Sequence, residues 1–147
     1  MNILYIGDIV GRAGRRSVRK LMDKIVNEQK IDFILANGEN AAGGFGLTKD
    51  TAEELYEYGI DCLTMGNHTW GNKDIYDFID KDERLIRPLN FNDIVPGSGF
   101  NTYQVNGKKI TVINLIGQVF MGANNSPVEA FDNVYEKIKD ISDYIIV

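Results

Sequence analysis

The sequence predicts an α/β protein built on a parallel sheet, and three observations carry that reading. Short apolar runs at Ile3-Leu4-Tyr5-Ile6-Gly7, Phe33-Ile34-Leu35-Ala36-Asn37-Gly38 and Asp61-Cys62-Leu63-Thr64-Met65 have the length and composition of buried strands. Each leads into chemically useful polar residues: Asp8 after the first, Glu39-Asn40 after the second, Asn67-His68 after the third. Those residues recur at intervals of about 30 positions, the span of one β-α-β unit. Parallel strands joined by right-handed crossovers point the same way, so their carboxyl ends share one edge of the sheet, where open α/β sheets bind ligands. Asp8, Glu39, Asn40, Asn67 and His68 are therefore expected to meet in space.

The elements follow in order. After the first strand, Ala13 to Lys30 reads as a helix, because Val18, Leu21, Met22, Ile25 and Val26 recur at spacings of three and four while the opposite face is charged. The second strand runs into the glycine-rich stretch Gly38 to Gly46. Thr48 or Asp50 then caps a helix that extends through Tyr58, with Gly59 as its stop. The third strand covers Asp61 to Met65, and Asn72 to Asp80 reads as a short helix. Arg87-Pro88 and Val95-Pro96-Gly97 mark an irregular connection, since proline disfavours helix at the residue before it. Tyr103-Gln104-Val105 and Lys109 to Leu115 flank Asn106-Gly107, a strong signal for a two-residue hairpin turn. Pro127 to Lys139 is a last amphipathic helix, and Asp143 to Val147 is strand-like. That final run stops where the earlier strands go on to deliver polar residues. Residues 1–147 are accordingly expected to form the N-terminal part of a single domain, cut short after Val147.

Composition narrows the function classes. At 147 residues, 44% hydrophobic and 25% charged, the chain is an ordinary globular domain rather than a disordered or collagen-like one. No apolar run approaches the roughly 18 residues of a membrane span, and the start lacks a signal-peptide pattern, so a cytoplasmic protein without membrane partners is expected. The net charge of −5 argues against duplex nucleic acid held through overall charge, and leaves small or single-stranded phosphate substrates open. Cys62, the chain's one cysteine, cannot form an internal disulfide and reads as a buried small apolar residue.

The candidate site has a definite chemistry. Asp8 and Glu39 are hard oxygen ligands, and Asn40 and Asn67 add amide oxygens, a set suited to manganese, iron(II), magnesium or calcium. Two divalent cations, with Glu39 between them, would activate water against a phosphodiester, and His68, the chain's only histidine, can give up a proton to the leaving oxygen near neutral pH. Two carboxylates do not balance two divalent ions, so further ligands must come from elsewhere. Plainer readings stand beside this one: a carboxylate after a strand is often a helix cap, a histidine is often bonded to a carbonyl, and asparagines often serve turns. The stretch Gly43-Gly44-Phe45-Gly46 lacks the lysine of a P-loop and reads as a substrate lip or a turn. The basic cluster from Arg12 to Lys20 reads as a solvated face or the edge of a phosphate site, and Trp70 as a packing residue or a platform for a base.

The segments Gly7-Asp8-Ile9-Val10-Gly11-Arg12, Asn37-Gly38-Glu39-Asn40-Ala41-Ala42-Gly43-Gly44 and Met65-Gly66-Asn67-His68-Thr69-Trp70 resemble the YmdB family of bacterial metallophosphoesterases, within the calcineurin-like superfamily. The likeness continues through Ile86 to Phe91, Pro96 to Gly99 and Asn114 to Met121. The resemblance implies a four-layer α/β/β/α sandwich, incomplete at the C-terminus, and a pair of iron or manganese ions ahead of magnesium. It also implies phosphodiesterase activity towards 2′,3′-cyclic nucleotides or related small phosphodiesters. By the same resemblance Asp8, Glu39, Asn40 and Asn67 hold metal, Glu39 bridges, and His68 donates the proton. Gln118 stands where the family usually has arginine, and Gly71 where an acidic residue is common, so substrate-binding residues are left unassigned. Family members reach about 260 residues, and their additional part carries Asp-Phe-His and Gly-Thr-His-x-His segments that complete the metal sites, so this chain by itself is expected to be an inactive fragment. A homo-oligomer is compatible with this reading. The competing expectation is a complete, non-catalytic binding or regulatory module; a Rossmann-type nucleotide fold is disfavoured because Gly7, Gly11 and Gly14 miss the G-x-G-x-x-G spacing.

Overall fold

Two sheets packed face to face place the site. The structure, a computed structural model, describes residues 1–122 and 124–147. The elements run β1 (Ile3–Ile6), α1 (Gly11–Gln29), β2 (Phe33–Asn37), α2 (Lys49–Glu57), β3 (Cys62–Thr64), a 3-10 helix (Lys73–Asp77), β4 (Leu85–Ile86), β5 (Phe100–Val105), β6 (Lys108–Ile113), α3 (Pro127–Ile138) and β7 (Tyr144–Ile146). The first sheet has the order β1-β2-β3-β4 and is wholly parallel, with Tyr5 beside Leu35, Leu35 beside Cys62 and Leu63 beside Leu85. The second has the order β5-β6-β7, in which β5 and β6 are antiparallel and β7 runs parallel to β6.

The alternation of side chains along β2 explains the layering. Ile34 and Ala36 face Val18, Met22, Ala52 and Leu55 of the two helices, whereas Phe33 and Leu35 face Val105, Ile110 and Val112 of the second sheet. A strand covered on both faces reads as an unbroken apolar run, which is why Phe33 to Ala36 shows no polar alternation. On β6, Ile110 and Val112 point to the first sheet and Ile113 packs with Val134 and Ile138 of α3. The result is the α/β/β/α order of layers. No helix among the described residues is long and apolar enough to cross a membrane.

Local signals govern the element ends. Thr48 Oγ1 accepts the Thr51 N–H at 3.2 Å and starts α2, and Ser126 Oγ accepts the Glu129 N–H at 3.3 Å and starts α3. Asn106 and Gly107 have φ of 50° and 78°, the paired left-handed geometry of a tight hairpin turn. Two differences from the sequence-based expectation stand out. The stretch expected as a helix from Asn72 to Asp80 is a 3-10 helix of five residues, pulled tight by the Asn72 side chain, which accepts the Asp74 N–H at 3.1 Å. Leu85 and Ile86 form a strand just before the expected irregular connection at Arg87-Pro88, in a stretch to which the sequence assigns no element. Two residues are too few to show periodicity, yet the Leu63 N–H donates to Arg84 O at 2.7 Å and the Met65 N–H to Ile86 O at 2.9 Å.

Candidate active site

Asp8 follows β1, Glu39 and Asn40 follow β2, and Asn67 and His68 follow β3, so the parallel register brings all of them to one edge of the first sheet. Backbone bonds stitch the connecting loops there: Ile9 N–H to Asn37 O at 3.0 Å, Gly11 N–H to Asn40 O at 2.9 Å and Gly38 N–H to Thr64 O at 2.9 Å. The loops are held before any side chain acts.

A hydrogen-bonded relay joins three of the residues. The Asn40 amide nitrogen donates to both Asp8 oxygens, at 3.0 and 2.8 Å, and Asn40 Oδ1 lies 2.5 Å from His68 Nδ1. An ionised carboxylate only accepts, so the NH2 group belongs on Asp8 and the amide oxygen on His68. Nδ1 must then carry the proton it shares with Asn40, leaving Nε2 as the outward nitrogen. Glu39 is held separately: Oε2 accepts the His68 backbone N–H at 2.9 Å, and Oε1 accepts from Asn37 Nδ2 at 3.3 Å. The imidazole stands 4.0 Å from Glu39 Oε2. Asn67 is exposed and lies outside this network; the turn that carries it is closed by the Thr69 N–H on Gly66 O at 3.1 Å.

Three features of the surroundings have no obvious mark in the sequence. Gly66 leaves room for the bridging candidate, because a Cβ there would sit 2.6 Å from Glu39 Oε2. Phe45, from the glycine-rich loop, packs against His68 with ring centres 4.5 Å apart, making that loop a wall of the site. Its turn relies on left-handed backbone at Gly43 and Gly44, with φ of 70° and 97°. Arg15 is spent on the loop rather than on an anion: its Nη1 donates to Ala41 O at 2.5 Å and its Nε pairs with Glu54 at 2.7 Å. The only readable hints were an aromatic set among glycines and an asparagine two positions before Glu39.

The donor set fits oxygen-loving divalent ions. Asp8 and Glu39 supply carboxylates, and Asn67 presents an exposed amide; Asn40 can serve an ion through the second lone pair of Oδ1. Among the described residues, no group of three His, Cys, Asp or Glu side chains is placed to hold an ion. The set therefore offers oxygen donors to a divalent ion and needs further donors to complete a coordination sphere.

Comparisons with known proteins follow the same lines. A family model described as YmdB-like protein matches residues 4–147. A 2′,3′-cyclic-nucleotide 2′-phosphodiesterase of Bacillus subtilis (strain 168) is 42% identical over 147 residues, which is 100% of this chain and 56% of the relative. The crystal structure of a hypothetical protein from Thermus thermophilus superposes with a TM-score of 0.91 at 34% identity, covering 99% of this chain and 56% of that one. That of a novel phosphatase from Mycoplasma pneumoniae gives 0.90 at 28% identity, covering 99% and 53%. The chain thus spans about half the length of the relatives it matches.

Proposed function

We propose, from the premise that this chain belongs to the YmdB-like family, that it supplies the acid-base half and part of the metal-binding half of a phosphodiesterase acting on small phosphodiesters. A 2′,3′-cyclic nucleotide is the favoured substrate, by analogy with the named activity of the Bacillus subtilis relative. The observation that carries the proposal is the relay Asp8–Asn40–His68 beside the Glu39 carboxylate, gathered at the carboxyl ends of three parallel strands.

In this reading Asp8, Glu39, Asn40 and Asn67 hold a pair of divalent ions, iron or manganese ahead of magnesium. Such ions, when bound, supply Lewis-acid stabilisation of the phosphoryl oxygens and activation of water. The chain's own residues do the rest. Asp8 fixes the Asn40 amide and Asn40 holds one imidazole proton by accepting from Nδ1, so it is the imidazolium form of His68 that has a second proton, at Nε2, free to transfer. His68 delivers it to the departing oxygen, while Phe45 packs against one part of the ring and limits its swing.

The test uses the natural protein that contains this chain, loaded with manganese. It should hydrolyse 2′,3′-cyclic AMP, and His68→Ala should lower turnover by about 10²- to 10⁴-fold with metal content unchanged. A nitrophenyl ester, whose leaving group needs little protonation, should recover much of the loss. Loss of metal without any such recovery would move His68 from proton donor to ligand, and absence of hydrolysis in the unaltered protein would overturn the reading.

A further inference from the structure

Beside Asn67 lies a hollow of about 290 Å³, lined by Trp70, Phe91, Asn92, Met121 and Asn124 as well as Asn67 itself. Its size is at the lower end for ligand pockets, which span about 300 to 1,000 Å³, enough for one planar ring system and too little for an oligonucleotide. Among the described residues, no charged side chain lines it. A phosphate would find no cation on those walls, whereas an uncharged heteroaromatic ring would meet aromatic and thioether surfaces.

Those walls are set before any ligand arrives. Trp70 stacks on Tyr76 with ring centres 5.0 Å apart and planes 17° from parallel, and meets Phe91 at 6.2 Å. The indole is therefore both a packing residue and part of the hollow's surface. Polar groups are available at the same place: Asn92 Oδ1 accepts the Ile94 N–H at 3.1 Å and Asn124 Nδ2 donates to Met121 O at 3.0 Å. Their other amide atoms, a donor on Asn92 and an acceptor on Asn124, make no hydrogen bond among the described residues. The neighbouring loop is apolar and open to water, with Val119 exposed and Phe120 fully exposed at a φ of 62°, a backbone angle that a bulky side chain adopts at a cost.

We propose that this hollow is a nucleobase subsite, in which Trp70 and Met121 take the faces of the base, Asn92 and Asn124 meet its polar edge, and Asn67 marks the junction with the phosphate-bearing end of the substrate. Base recognition by aromatic faces and amide edges is the usual chemistry for unpaired nucleotides. This inference rests on the phosphodiesterase reading for the position of the phosphate, but not for the existence of the hollow.

The chain carries one tryptophan and one histidine, so two NMR signals report on the two ends separately. Adenosine, ribose 5-phosphate and 3′-AMP are titrated in turn, following the Trp70 indole and the His68 imidazole. Adenosine and 3′-AMP should move the indole signal in a saturable way, and ribose 5-phosphate should not. Trp70→Leu, followed through the ligand's own signals, should weaken adenosine binding by about fivefold or more, the least that loss of one base–aromatic stack costs. Met121→Ala, on the exposed rim, should weaken it in the same direction without touching the core. An indole signal unmoved by adenosine and 3′-AMP, or moved equally by ribose 5-phosphate, overturns the subsite even if His68 responds to phosphate. A responsive indole with a silent His68 keeps the subsite, and the hydrolase reading is then decided on its own by turnover of 2′,3′-cyclic AMP.

Discussion

Asn40 Oδ1 lies 2.5 Å from His68 Nδ1, and the same amide has its nitrogen on the Asp8 carboxylate. The pairing makes Asn40 a template for the imidazole's protons. In the metal-free protein the neutral His68 should hold its proton mainly on Nδ1, the less common tautomer of free imidazole. Long-range ¹⁵N–¹H spectra of the single histidine read this directly. Asn40→Ala should shift the population towards Nε2–H, and an unaltered protein already in the Nε2–H form would show that the relay runs the other way.

Gly66 is the next point of leverage. A Cβ at this position would press on Glu39, 2.6 Å from Oε2, so Gly66→Ala should displace the carboxylate without opening a cavity. Manganese affinity measured by calorimetry is expected to fall by roughly tenfold or more, the range seen when groups that orient a ligand are lost. The unfolding temperature should change little. Unchanged affinity would mean that Glu39 takes no part in metal binding. The unaltered chain should itself bind weakly and with fewer than two tight equivalents, since no group of three His, Cys, Asp or Glu side chains converges among the described residues.

Cys62 lies fully buried between the sheets with Phe33, Leu35 and Ile110. Burial pushes its thiol up to about 12, with nearby carboxylates adding to the effect. A disulfide reagent at mildly alkaline pH should leave the native protein untouched and label one thiol per chain once guanidinium unfolds it. Prompt labelling of the native state would contradict the packing of the two sheets.

Asp143 ties the start of β7 to the start of β6. Its carboxylate accepts the Lys109 backbone N–H at 2.9 Å and the Lys108 ammonium at 2.9 Å, and these hold it below the ordinary carboxylate range, the backbone bond most of all. A depressed folded-state pKa stabilises the fold above the unfolded-state value and ceases to do so as the pH falls through the folded one. Asp143→Asn should therefore be less stable than the parent at neutral pH, and the gap should narrow as the pH falls below roughly 4, the unfolded-state value, and close only beneath the depressed folded-state value. Urea melts at the two pH values check it; a gap that widens in acid would refute the sign.

How much was legible in advance follows from how local each signal is. The hairpin could be read because Asn106-Gly107 carries its own backbone preference, and α2 and α3 because Thr48 and Pro127 cap or start helices within a turn of themselves. Leu85–Ile86 could not, since a strand of two residues exists only through the neighbour it pairs with. The 3-10 turn after Asn72 kept the expected position but not the expected geometry, because a side-chain bond to Asp74 N–H competes with the wider helical turn.

Asp8, Glu39, Asn40, Asn67 and His68 announced themselves by standing at the ends of apolar runs, and β-α-β handedness was enough to send them to one edge. Sequence alone determined that much: which chemical groups gather, and on which side of the sheet. Tertiary structure decided what each group does to its neighbour. That Asn40 sits between Asp8 and His68, that Gly66 makes room for Glu39, that Phe45 rather than Arg15 borders the imidazole, and that Trp70 both packs on Tyr76 and lines a hollow are relations between residues brought together by loop closure. Hydrogen bonds and ring contacts change over fractions of an ångström, and no periodicity or spacing along a chain encodes distances that fine.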